Sequence, residues 1–125
     1  MNNEIIERLA KCESRISDLV ESAEEMAPRM DKLNLIRERI NSLKNAATLV
    51  RDEPEYIASD IQISDSRCGE VGGDAADAIR FCDEFIDGTC DLHQRRILRL
   101  CKREIRIISA IMLAQLAGYR DYIKK

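Results

Sequence analysis

Apolar residues recur along the first part of the chain at Ile5, Leu9, Cys12, Ile16, Leu19, Ala23, Met26, Met30 and Leu33, with gaps that alternate four and three. An α-helix turns once in about 3.6 residues, so this spacing keeps one apolar stripe facing a neighbour. The stripe runs on through Ile36, Ile40, Leu43, Ala47 and Val50, after a short step at 30–33–36 that slips the register. The pattern predicts a helix over 3–50, about 70 Å long at 1.5 Å per residue. Pro28 sits inside it. Proline removes a backbone donor and crowds the preceding turn, so it either kinks one continuous helix or stands in the first turn of a new one. The unbroken phase from Met26 to Met30 favours the kink.

The periodicity then fails. Residues 51–73 hold Pro54, Asp60, Ser64, Asp65, Ser66 and Gly69, turn chemistry that reads as a long connector with a partly helical stretch near 55–59. Gly72-Gly73-Asp74 opens a shorter helix over 74–87, with Asp74 placed to cap it and Asp77 in its first turn. Ala75, Ala78 or Ile79, Cys82 and Phe85 form its inward stripe. Gly88 ends it, and Thr89 caps a last helix over 89–123. On that helix Ile97, Leu98, Cys101, Ile105 and Ile108 share one arc. From 107 to 119 it is apolar nearly all round, which a surface helix is not, so this half needs cover on two sides.

These elements predict an all-α fold: a single domain over 1–125, a long antiparallel helical hairpin or bundle with one shorter helix and an acidic connector. Two apolar rods of this length exceed what one copy is expected to hide. A homodimer or a stable complex with a protein partner follows. Its interface is expected at Ile5, Leu9, Ile16, Leu19, Met26, Met30 and Leu33, and at Ile108, Ile111, Met112, Leu113, Leu116 and Tyr119.

Composition narrows the classes. With 45% apolar and 34% charged residues the chain is too hydrophobic for a disordered tail. Its apolar runs fall short of the roughly 20 residues that span a bilayer, so no membrane role is expected. Met1-Asn2-Asn3-Glu4 lacks the basic start of a cleavable signal. Five scattered cysteines, at 12, 68, 82, 90 and 101, do not form a disulfide framework and point to a reducing, cytoplasmic setting.

Charge is unevenly placed. Residues 52–91 carry twelve acidic and two basic groups, whereas 92–125 carry nine basic and two acidic. At 100° per residue Arg95, Arg99, Lys102 and Arg106 share a stripe, with Arg96 and Arg103 beside it. Such a face suits phosphates or nucleic acid. Its plainer reading is a solvated face, or one paired with Asp77, Asp83, Glu84 and Asp87 of the preceding helix. No aromatic residues interleave with it for base stacking. The carboxylates Asp52, Glu53, Glu55, Asp60, Asp65, Glu70 and Asp74 suggest, as a further option, a small anti-defence inhibitor that blocks a basic groove; a solvated loop is the plainer reading there too.

Catalytic chemistry is thin. Cys90-x-x-His93 offers two metal ligands one turn apart, without the two further groups a zinc site needs. There is no phosphate loop with its following lysine and no nucleophile–base spacing. No catalytic residue, metal or cofactor is expected, and the favoured role is a non-enzymatic adaptor, inhibitor or secretion partner.

The order of long helix, connector, glycine motif and second long helix resembles the WXG100-type and LXG-associated small helical proteins of Gram-positive secretion systems. Val71-Gly72-Gly73 followed by Ala76 and Ile79 is similar to the family's Trp-x-Gly and following apolar positions, with Val71 where the family has Trp. The C-terminal Tyr119-Arg-Asp-Tyr122-Ile123 departs from its Tyr-x-x-x-Asp/Glu export signal. The resemblance implies a helical hairpin that pairs with a toxin's targeting domain and leaves the cell by a signal-less route.

Overall fold

The computed structural model describes residues 2–22 and 27–124. They form five helices in chain order: α1 (Asn2–Ser22), α2 (Ala27–Asp52), the single turn α3 (Pro54–Ile57), α4 (Ile61–Asp87) and α5 (Leu92–Lys124). No strand occurs among the described residues, and the expected all-α class holds.

The first seam divides between two helices. Lys44 Nζ lies 3.1 Å from Glu13 Oε1, Arg37 donates to Ser17 Oγ at 3.3 Å, and Arg51 donates to Asn3 Oδ1 at 2.9 Å. Late residues of α2 therefore meet early residues of α1, and the pair is antiparallel. The expected 3–50 rod is corrected to a hairpin. Pro28 stands in the first turn of α2, where the missing N–H leaves no helix bond unmade. Apolar phase alone could not reveal the reversal, because a seam keeps its spacing whether its halves continue or fold back. Residues 23–26, Met26 among them, lie outside the described residues.

The second correction concerns the connector. Ile61–Asp87 is one helix of 27 residues, twice the expected length. Its N-cap is Asp60, whose side chain accepts from Gln62 N at 2.8 Å. Asp74 lies mid-helix instead, 3.9 Å from Arg39 of α2. The inner positions Ser64, Cys68, Val71, Ala75, Ala78, Cys82 and Phe85 keep gaps of four and three without a break. Ser64 is fully buried because its hydroxyl donates to Ile57 O at 2.6 Å, tying α3 to the start of α4. Gly88 then closes α4 with φ −94°, its N–H bonded to Phe85 O at 3.1 Å, rather than in a left-handed cap. Asp91 caps α5 through Gln94 N at 3.0 Å, and Thr89 braces that turn by accepting from Asp91 N.

Cross-helix pairs order the four long helices as a ring. Arg39 reaches Asp77 at 3.5 Å and Lys32 pairs with Glu84, joining α2 to α4. Lys102 pairs with Asp83, joining α4 to α5. Arg8 Nε donates to Glu104 Oε2 at 2.6 Å, closing α5 onto α1. Every neighbouring pair is antiparallel, the up-down-up-down arrangement of a four-helix bundle. Its interior takes the seams of all four helices, including Leu9, Ile40, Val71 and Ile105, each with no exposed surface. At about 1.5–3 kcal/mol for each large aliphatic side chain buried, these seams are the main stabilising term.

Candidate functional site

The expected apolar interface is largely this interior. Ile5, Leu9, Ile16, Leu19, Leu33, Ile108, Met112 and Leu116 are all buried within one chain at 3% exposure or less. Met30 is half-buried, as are Ile111, Leu113 and Tyr119, which pack against the core. The seams are thus corrected from a docking surface to the bundle's own core. Four antiparallel helices shelter what two rods could not, which removes the reason for expecting a second copy along those stripes.

What stays outside is the far face of α5. Arg96, Arg99, Arg103 and Arg106 are exposed at steps of three, four and three, a stripe about 15 Å long. Among the described residues none of the four has a carboxylate within ion-pair distance. Arg95 and Lys102 flank the stripe half-buried, Lys102 being held by Asp83. The expected pairing with the preceding helix is therefore only partly met. Asp77 and Glu84, seven residues apart on α4, face α2 and pair with Arg39 and Lys32, leaving Asp83 as the one that reaches α5 among the ion pairs of the described residues. Asp87 is exposed.

Arg99, Lys102, Arg103, Arg106 and Ile107 line an open surface groove of about 410 Å³. Ile107 is 38% exposed, a large aliphatic side chain left beside the guanidinium groups. Beyond it the same outer stripe continues as exposed Ala110, Ala114 and Ala117, with half-buried Leu113 alongside. The sequence placed basic and small residues on this helix. The expectation that its 107–119 half is covered on two sides is met on one side only: Ile108, Met112 and Leu116 are buried, while the stripe of small residues stays exposed.

The other candidates are more fully engaged. Of the acidic middle, Asp52 pairs with Arg51 and Glu70 with Arg67, each at 2.7 Å, Asp74 approaches Arg39, and Asp60 caps α4. Glu53 and Glu55 are exposed. Burial lifts the Asp74 carboxyl above its ordinary value, against the pull of Arg39.

Cysteine chemistry is mostly internal. Cys12, Cys82 and Cys101 are buried, and Cys101 Sγ donates to Cys12 O at 3.9 Å. Burial pushes the Cys82 thiol up to about 12. The Cys101 thiol is raised by its hydrogen bond with Cys12 and by burial. Cys90 and His93 are both exposed, and among the described residues no three ligating side chains gather closely enough to hold a metal. No helix among the described residues is long and apolar enough to cross a membrane. Val71-Gly72-Gly73, the residues of the WXG100-type resemblance, sit mid-α4 with Val71 fully buried.

Comparison of the chain with protein-family models, with curated proteins and with solved structures finds no match.

Proposed function

We propose that the protein is a non-enzymatic protein-interaction module whose working surface is the outer face of α5, not its apolar seams. The observation that carries this is the unneutralised stripe Arg96, Arg99, Arg103 and Arg106, beside an α4 whose Asp77 and Glu84 are spent on α2. Four guanidinium groups at helical spacing form a preformed set of forked donors for carboxylates. The apolar continuation through Ile107, Ala110 and Ala114 has no use for a phosphate backbone, which favours a protein partner over nucleic acid. The acidic middle supports an inhibitor role less well, since several of its carboxylates already serve the chain's own contacts.

The test is capture from the native organism with the wild-type chain and with Arg99→Glu/Arg106→Glu, both verified as folded by circular dichroism and both treated with nuclease. A protein retained by the wild type and lost by the variant supports the reading. Retention that nuclease abolishes, or that charge reversal leaves unchanged, overturns it. A gel shift with duplex DNA at two salt concentrations probes the nucleic-acid alternative, for which affinity falls steeply with salt.

A further inference from the structure

Resting on that reading, we infer that the occupant of the α5 face is a single amphipathic α-helix of the partner, acidic over one half and apolar over the other. The face is divided in the same way. Arg96, Arg99, Arg103 and Arg106 occupy its first half, and exposed Ile107, Ala110, Ala114 and Ala117 with half-buried Leu113 its second. Together they form one strip about 31 Å long at 1.5 Å per residue.

Helical spacing on this strip matches helical spacing on an occupant. Carboxylates three or four residues apart lie about 5–6 Å from one another, the interval at which successive arginines leave α5. The alanines remove bulk where two helix backbones approach to about 8–10 Å. Neighbouring charge limits the width of what can sit there. Asp83 flanks the groove through Lys102 on the α4 side, and exposed Asp87 lies on the same helix. A broad polyanion laid across α4 and α5 would meet these carboxylates, whereas a rod along α5 would avoid them.

Size sets the strength. A strip about 31 Å long and about 10 Å wide offers well under the roughly 800 Å² that each partner contributes to a stable standard interface. The contact is therefore weak, reversible and salt-sensitive, a docking contact rather than an obligate assembly.

The experiment uses the intact chain and a fluorescein-labelled synthetic helix of about six turns, with Glu on one stripe of its first half and Leu and Ala on that stripe in its second. A scrambled isomer with its Glu residues spread round the helix and a labelled DNA duplex are the other probes, read by fluorescence anisotropy. The striped helix is expected to bind about tenfold or more tightly than the scrambled one, and both Arg99→Glu/Arg106→Glu and Ala110→Glu/Ala114→Glu to weaken it by about tenfold or more. Ala110 and Ala114 are exposed, so their replacement leaves the core intact, with circular dichroism as the check. Equal binding of the two helices, or indifference to the alanine changes, overturns the inference. If the partner captured above still depends on the arginines, such a failure leaves the proposed function standing. Arginine-dependent binding of the duplex without the striped helix overturns both.

Discussion

Replacing Gly69 and Gly73 with alanine is expected to stabilise the protein, because both lie in the interior of α4 and are exposed. A Cβ built on either meets nothing within 4 Å, so no steric cost opposes the change. Glycine in an exposed helix interior costs about 0.8–1.0 kcal/mol relative to alanine, chiefly through the freedom it retains when unfolded. The double variant should gain about 2 kcal/mol, taking the two sites as independent. For a chain of 125 residues, an unfolding entropy of about 2.1 cal/mol/K per residue converts this to a Tm rise of about 8 °C. Thermal and urea unfolding followed by circular dichroism read the gain, the urea midpoint rising with its slope unchanged. A flexible connector over 51–73 would be indifferent to both substitutions. No gain, together with fast amide exchange over 64–73, would therefore refute a continuous helix from Ile61.

Three further outcomes follow from the packing. Leu9→Ala or Ile40→Ala empties a site with no exposed surface and should cost about 2–5 kcal/mol in urea unfolding; a loss under 1 kcal/mol would place those residues elsewhere than a packed core. A disulfide-exchange reagent should label exposed Cys90 first and half-buried Cys68 more slowly, while Cys12, Cys82 and Cys101 stay unmodified until the fold is opened. Rapid labelling of all five in native buffer would contradict the burial. The hydrogen bond from Arg8 holds the Glu104 carboxyl below its ordinary 4.5. Its contribution is therefore present above that value and fades as pH falls through the lower folded value. With both partners partly exposed it amounts to no more than about 1 kcal/mol. Glu104→Gln should be the less stable protein at neutral pH and converge with the wild type in acid; a difference unchanged down to low pH would dismiss the ion pair.

Seams of α1 and α2 were legible because Leu, Ile and Val occupy nearly every inner position, and period alone reads such residues correctly. The reversal between them was not, since folding back leaves the four-three count intact. Half of α4 was misread for a different reason. Of its three inner positions there, Ser64, Cys68 and Val71, only Val71 is a large aliphatic, and it is flanked by Gly69, Gly72 and Gly73, residues whose intrinsic preference is for turns. Tertiary contacts decide the matter, with Val71 and Ala75 buried and the Ser64 hydroxyl spent on Ile57 O. Counting small residues as inner ones would have recovered the unbroken register from 64 to 85.

The α5 arginines were legible as a stripe, but their surroundings were not. Which carboxylates of α4 turn toward α5 depends on α4 having two neighbours. Asp77 and Glu84 are seven residues apart and share the side that meets α2, while Asp83 lies on the side that meets α5. A sequence read as a two-rod hairpin gives α4 no second neighbour and assigns all its acids to the basic face. The same omission made the buried seams look like an interface.

The most direct test of whether one copy closes its own apolar seams is the molar mass in solution by light scattering, from about 1 to 100 µM, joined to the melting temperature at each concentration. A mass near 14.3 kDa throughout, with a melting temperature independent of concentration, is the expected result. A mass of two chains or more, with a melting temperature that climbs with concentration, would contradict it and return Ile5, Leu9 and Ile16 to an interface between copies.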